Sequence, residues 1–201
     1  MSDAAGDAQA LAERVAAEMY ANDHATRALG MRIERVAPGS AELTMPVSET
    51  MLNGHEICHG GYIFLLADST FAYACNSYNR NTVAQGCSID YLAPARAGDL
   101  LRARGVERSR TGRTGVYDIE VTNGTTTVAL FRGKSYRIDG TIVAESVNEP
   151  GIPAEGPPRG TNSAPSGGSA AREPEGPPRG RTREGEARAS FDPPRAWGDH
   201  E

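Results

Sequence analysis

The run YIFLLADSTFAYACNSY, at residues 62–78, constrains the fold more than any other stretch of the chain. It is apolar on nearly every face of a helix, which is typical of a buried helix and not of an amphipathic surface helix. The run is too short, and too interrupted by polar groups, to span a membrane, and the chain has no longer apolar run. The sequence therefore predicts one helix enclosed by the rest of a globular domain.

The stretches on either side of this helix predict an antiparallel sheet. Residues 8–21 have the spacing of a short amphipathic helix, and Asn123-Gly124 is a hairpin signal. The predicted strands are bounded by turn residues and rich in β-branched residues; they lie in 31–37, 40–47, 82–95, 100–110 and 115–139. The order of elements indicates an α+β fold with a single helix held against a sheet.

The composition changes sharply after about Asn148. Ten of the 13 prolines lie from Pro150 onward, and the hexapeptide EGPPRG occurs twice there. A segment with so few large apolar residues cannot bury enough surface to offset its ordering entropy. We therefore expect a flexible N-terminus at 1–7, a folded domain at 8–146 and a disordered tail at 147–201.

Charge and cysteine usage restrict the partners and the compartment. The formal charge of −5 argues against nucleic acid as the main partner. Three cysteines without a C-x-x-C pair are typical of free thiols in a reducing cytoplasm. The acidic N-terminus lacks the layout of a signal peptide. We expect a cytoplasmic protein that does not insert into a membrane.

The letters HEICH, at residues 55–59, match the zinc-protease pattern H-E-x-x-H. That pattern works because a continuous helix places both histidines on one face, one turn apart. Here Gly54 precedes the first histidine and Gly60-Gly61 follows the second, and a glycine costs about 1 kcal/mol in a helix interior. The other histidines, His24 and His200, have no convincing spacing. We interpret HEICH as a chance match and expect no metal.

The glycine pair and one acidic residue suggest a different chemistry. Glycines just before an apolar helix leave backbone N–H groups exposed at its positive end, where an oxyanion can bind. Asp68 lies inside the apolar run, where desolvation should raise its pKa, the useful direction for a general base. Alternatively, Asp68 is the N-cap of a second helical segment that starts D-S-T-F. The spacing alone leaves both interpretations open.

From about Met19 to Ile142 the chain closely resembles the PaaI family of hotdog-fold acyl-CoA thioesterases, associated with phenylacetic acid degradation. The resemblance rests above all on N-G-H-x-x-C-H-G-G followed by F-A-Y-A-C-N. It continues through CSIDYLAPARAGDLL, TGVYDIEV and VALFRGKSYRI. The tail lies outside it.

The resemblance implies a hotdog fold, in which a curved antiparallel β-sheet wraps a long central helix. It implies homodimers with a continuous sheet, assembled into a homotetramer, and active sites at the dimer interface. These sites would hydrolyse acyl-CoA thioesters, such as phenylacetyl-CoA, without metal or cofactor. Asp68 would be the catalytic carboxylate, as a nucleophile or as the base for water. The N–H of Gly60, with Gly61 beside it, would polarise the thioester carbonyl, and Asn53 and His59 would line the site.

Two other functions are compatible with the same residues. A hotdog hydratase or dehydratase relies on a histidine and an acid, and His59 with Asp68 meets that requirement. A non-catalytic acyl-CoA-binding protein would use the same pocket, with the tail as a docking arm. We expect Cys58 and Cys75 to pack in the core as thiols. The basic residues that could contact CoA phosphates are Arg108, Arg110, Arg113, Arg132 and Lys134.

Overall fold

The computed structural model describes residues 3–144, in which six antiparallel strands surround one central helix. The helices are α1 (Asp3–Asn22), α2 (His24–Ala28) and α3 (Gly60–Asn76). The strands are β1 (Arg32–Ala37), β2 (Ser40–Pro46), β3 (Thr82–Tyr91), β4 (Leu100–Thr111), β5 (Thr114–Asn123) and β6 (Thr126–Arg137). The predicted tail, residues 147–201, lies outside the described residues, as do residues 1–2.

The central helix α3 is buried because apolar side chains cover most of its circumference. Phe71 packs against Tyr117 of β5 and Phe131 of β6, with ring centroids 5.5 and 6.0 Å apart. The sheet approaches the helix so closely that a Cβ at Gly133 would lie 2.9 Å from the Phe71 ring. Burying a phenylalanine fully stabilises a fold by about 1.5–3 kcal/mol. The predicted hotdog architecture, a helix held in a curved sheet, is confirmed.

The sheet order is β1-β2-β4-β5-β6-β3, so β3 pairs with β6 and forms one edge. Strands β4, β5 and β6 form the expected meander, and Gly124 adopts a φ of 58° in the turn between β5 and β6. Strand β3 does not join the meander beside β4, because the long connection after Tyr91 carries the chain to the other side of the sheet. Its side chains are largely exposed, Val83 and Tyr91 among them.

Some local predictions differ from the structure. Helix α1 begins five residues before the predicted start, and the short helix α2 was not predicted. Helix α3 begins at Gly60, so the two glycines form its first turn and do not precede it. Because α3 is continuous to Asn76, Asp68 lies in its middle, and the N-cap interpretation of Asp68 is wrong. No helix within residues 3–144 combines the length and the apolarity needed to cross a membrane.

Candidate active site

The segment before α3 is a tight loop that Asn53 closes. The backbone N–H of Asn53 donates to Ile57 O at 2.9 Å, and its Oδ1 accepts from the N–H of His55 at 2.9 Å. Glu56 sits at the tip with a φ of 59°, a conformation that costs energy in any residue other than glycine. The Asn53 Oδ1 is therefore engaged in the loop, whereas its Nδ2 has no hydrogen bond to any described residue.

His59 is the N-cap of α3. Its Nδ1 accepts a hydrogen bond from the N–H of Gly61 at 3.0 Å, and its own N–H donates to Met51 O at 2.8 Å. An accepting Nδ1 places the proton of a neutral imidazole on Nε2, which points away from the cap. The Gly61 amide is therefore occupied, while the Gly60 amide has no acceptor among the described residues. Gly60 thus presents the available donor at the positive end of the helix.

The position of Gly60 is fixed from the other side by Tyr91 at the end of β3. The Tyr91 hydroxyl donates to Gly60 O at 2.9 Å. A Cβ at position 60 would lie 3.0 Å from the Tyr91 ring, so the ring excludes a side chain there. A glycine at position 60 therefore leaves room at the first turn of α3 for both the Tyr91 ring and an approaching ligand atom.

Asp68 is half-buried in the middle of α3. Its Oδ1 accepts from the Cys87 thiol of β3 at 3.9 Å, and within residues 3–144 it forms no salt bridge. Burial raises the pKa of the Asp68 carboxyl, and the hydrogen bond from Cys87 partly offsets that increase. A carboxylate that is desolvated without a cationic partner binds a proton more readily than an exposed one, which suits a general base.

Gly60 and Asp68 lie on the same helix but far apart. Eight residues at 1.5 Å per residue separate them by about 12 Å along the helix axis. A reacting carbonyl needs both an oxyanion donor and a base within about 3 Å of the reacting atoms. Within one copy these two groups cannot meet that requirement together.

The two histidines of HEICH are not on a helix. His55 lies in the loop before α3, and His59 caps its start, so the one-turn spacing of a zinc-protease helix is missing. Cys58 and Cys75 are both buried, as predicted. Burial raises the pKa of the Cys58 thiol, and it raises the pKa of Cys75 to about 12, so both are protonated thiols.

Four of the five basic residues that we considered for CoA phosphates fall into two groups, and the fifth, Lys134, is exposed on β6. Arg108 and Arg132 both contact Asp118 on the outer face of the sheet, and the Arg132 hydrogen bond is the main cause of the lowered pKa of Asp118. Arg110 and Arg113 lie at the β4–β5 hairpin, beyond the end of α3. The contacts of Cys87 with Asp68 and of Tyr91 with Gly60 were not predicted. The partners are 19 and 31 residues apart in the chain, and no sequence pattern links positions at those spacings.

Comparison with known proteins identifies the relatives of this chain. The sequence pattern of the thioesterase superfamily matches residues 55–130. The acyl-coenzyme A thioesterase PaaI of Escherichia coli K12 is 54% identical over 129 residues, which are 64% of this chain and 92% of that protein.

Solved structures agree with these sequence relationships. The E. coli PaaI protein from the phenylacetic acid degradation operon matches with a TM-score of 0.65 at 51% identity, over 66% of this chain and 97% of that one. A hypothetical thioesterase of Streptococcus pneumoniae TIGR4, solved with coenzyme A, matches with a TM-score of 0.53 at 27% identity, over 55% of this chain and 90% of that one.

Proposed function

This chain belongs to the thioesterase superfamily and is a hydrolase of thioester bonds, and we propose from that premise that it hydrolyses acyl-CoA thioesters with Asp68 as the catalytic carboxylate. The observation that carries the proposal is the position of Asp68, half-buried in an apolar helix without a salt-bridge partner in residues 3–144. Such a carboxylate is costly to the fold, and ionisable groups perturbed in this way are concentrated at functional sites.

The proposed substrates are CoA thioesters of phenylacetyl or related aryl-acyl groups. Two relatives support this class: the E. coli protein is named an acyl-coenzyme A thioesterase and comes from the phenylacetic acid degradation operon. The S. pneumoniae protein was solved with coenzyme A. The acyl group is the finer part of the proposal, and the substrate panel below decides it.

In the proposed reaction, water attacks the thioester carbonyl while Asp68 takes the proton from that water. The carbonyl oxygen acquires negative charge, which the Gly60 amide stabilises; one such donor typically contributes about 3–4 kcal/mol. The C–S bond then breaks, and the proton held by Asp68 passes to the CoA thiolate, which leaves a free carboxylic acid and CoA. The sum is one water consumed per thioester, with the carboxylate regenerated.

The remaining site residues have supporting roles in this proposal. His59 holds the Gly61 amide, and this cap orients the first turn of α3 so that the Gly60 amide points outward. Gly61 has no side chain and therefore leaves room beside the thioester carbonyl of the substrate. The free Nδ2 of Asn53 can donate to the substrate, while its Oδ1 keeps the loop in shape. These roles are assigned to the hydrogen-bonding atoms of the loop that have no partner among the described residues.

The site is proposed to be complete only in a homodimer. The edge strand β3 offers ten residues with unpaired backbone groups on one side and carries exposed Val83 and Tyr91. Pairing of two such edges would continue the sheet and place Asp68 of one copy near Gly60 of the other. Two dimers would form the homotetramer, in the cytoplasm. Light scattering of the purified protein tests the assembly.

A substrate panel tests the proposed function. The wild-type enzyme is assayed with phenylacetyl-CoA, hydroxyphenylacetyl-CoA, benzoyl-CoA, acetyl-CoA and hexanoyl-CoA, and released CoA is detected with DTNB. We expect the highest kcat/KM for the arylacetyl thioesters. Equal values for straight-chain thioesters would reject the aryl preference, and no CoA release from any member of the panel would reject acyl-CoA hydrolysis.

A further inference from the structure

A small basic recess lies beyond the C-terminal end of α3, separate from the loop and cap described above. Its rim carries four arginines from the segment before β3, the β4–β5 hairpin and the end of β6: Arg80, Arg110, Arg113 and Arg137. Its walls include Cys75 of α3 and the buried strand residues Tyr117 and Ser135. We call this site the arginine recess.

Ser135 gives the recess a polar floor. The residue is 3% exposed, and its hydroxyl forms no hydrogen bond to any described residue. The Ser135 Oγ is not a buried atom without a partner, so it is accessible from the recess and available to donate a hydrogen bond to a ligand there. Gly115 keeps the space open, since a Cβ there would lie 2.7 Å from the Ser135 Oγ.

The contacts of the rim leave it positively charged. Arg110 lies 3.9 Å above the Tyr78 ring and 3.4 Å from a Glu107 carboxylate oxygen. Arg113 donates to Arg137 O and pairs with the exposed Asp139. The Arg137 guanidinium has no hydrogen bond or ion pair within residues 3–144. Two arginines are therefore held in place while a third remains available for a ligand.

The free space selects a small ligand group. It amounts to about 30 Å³, whereas a single water needs about 10–15 Å³ on the same measure. A ring system does not fit in such a space, but a compact oxyanion does. Guanidinium groups bind phosphate in a planar, two-bond geometry, and a phosphate monoester carries about two negative charges at pH 7.

We propose that the arginine recess is a binding site for a phosphate group, held by Arg110, Arg113 and Arg137 with a hydrogen bond from Ser135. The phosphate can come from two sources. One is the nucleotide end of the CoA thioester, and this source rests on the proposed function. The other is a free phosphate-bearing metabolite that binds as an effector.

Binding measurements on the full-length protein test the proposal. Calorimetry compares CoA, 3′-dephospho-CoA and pyrophosphate as ligands of the wild type and of three variants. R137Q removes the available guanidinium, and S135A removes the hydroxyl from the floor. R35Q is the matched control, because Arg35 is an exposed strand arginine on β1, at the opposite edge of the sheet.

We expect R137Q to weaken binding of a phosphate probe about tenfold or more and S135A about fivefold, with R35Q unchanged. If R137Q weakens the binding of CoA, and pyrophosphate competes with CoA for the wild type, then the recess binds a phosphate of the CoA substrate. If pyrophosphate binding is weakened and CoA binding is not, the site takes a free phosphate. Equal binding of all three probes by R137Q and R35Q, or no binding of any probe to the wild type, would overturn the proposal.

A phosphate-free substrate separates this proposal from the proposed function. The phenylacetyl thioester of N-acetylcysteamine retains the scissile bond but lacks the nucleotide. R137Q and the wild type should hydrolyse it equally. If they do so and the phosphate probes show no effect of R137Q, the recess proposal fails while thioester hydrolysis stands. If the wild type releases thiol from neither this substrate nor CoA thioesters, the proposed function itself fails.

Discussion

The Cys87 thiol on edge strand β3 lies 3.9 Å from Oδ1 of Asp68 in the middle of α3. Strand β3 therefore contributes both a sheet edge and a hydrogen-bond donor to the candidate active site. The donor stabilises the charged form of a carboxylate whose pKa burial raises.

The first prediction concerns the pH dependence of the C87A variant. Removing the thiol removes a contact that lowers the pKa of Asp68, so that pKa should rise further. A general base works when deprotonated, so the rate falls as the pH drops through its pKa. The acid limb of kcat/KM should therefore move to higher pH in C87A and stay near the wild-type position in C87S, which keeps a donor. An unchanged or lower acid limb in C87A would contradict this account.

The second prediction concerns the stability of D68N. Because burial raises the folded-state pKa of Asp68, ionisation above that pKa destabilises the folded protein relative to the unfolded chain. The uncharged amide avoids this cost, so D68N should have a higher Tm than the wild type at pH 7. The difference should disappear below about pH 4, where the aspartate is protonated in both states. The exposed Asp7 of α1 provides the control, D7N, which should leave the Tm unchanged. A lower Tm for D68N at pH 7 would show that the charge stabilises the fold.

The third prediction compares two glycines near the start of α3. In G60A the new methyl group would lie 3.0 Å from the Tyr91 ring, so the ring or the first turn must shift. A displacement of about 1 Å at a reacting centre can reduce the rate about 10²-fold. Gly54 has open space around it, so G54A should keep wild-type kcat. The two variants are compared by steady-state kinetics and by circular dichroism. Equal kcat values for G60A and the wild type would mean that the Gly60 amide does not need its present position.

The fourth prediction tests the shared site by mixing subunits. D68N and G60A should each be nearly inactive, but a mixed dimer contains one site with an intact Asp68 and an intact Gly60. The two variants are unfolded, mixed in equal amounts and refolded together. Random pairing makes about half of the dimers mixed, and each mixed dimer has one intact site of two. The mixture should therefore recover roughly a quarter of the wild-type activity per protomer. Each variant refolded alone is the control. No recovery on mixing would contradict a site shared between two copies.

The fold was largely predictable because its strongest signal is local. The apolar run at 62–78 has no polar face, which predicts a helix enclosed by the rest of the domain. Strands β1 and β2 and the turn at Gly124 follow from equally local patterns. The edge position of β3 was not predictable, because strand order depends on the long connection after Tyr91 and not on the residues of β3.

The candidate site was predictable in part. Asp68 stands out by its apolar neighbours, and Gly60 by its place at the helix start. The occupied Gly61 amide, however, depends on the side-chain conformation of His59, and the contacts of Cys87 and Tyr91 depend on how β3 packs against α3. These are tertiary contacts, which sequence spacing does not encode.

The turnover of D68N tests the central claim most directly. Purified wild type, D68N and D7N are compared with phenylacetyl-CoA, and the CoA formed is quantified by chromatography so that the exposed Cys87 thiol cannot add to the signal. If Asp68 is the base, kcat of D68N should fall by about 10²–10⁴-fold while D7N keeps the wild-type value. A folded D68N that turns over phenylacetyl-CoA at the wild-type rate would contradict the assignment of Asp68.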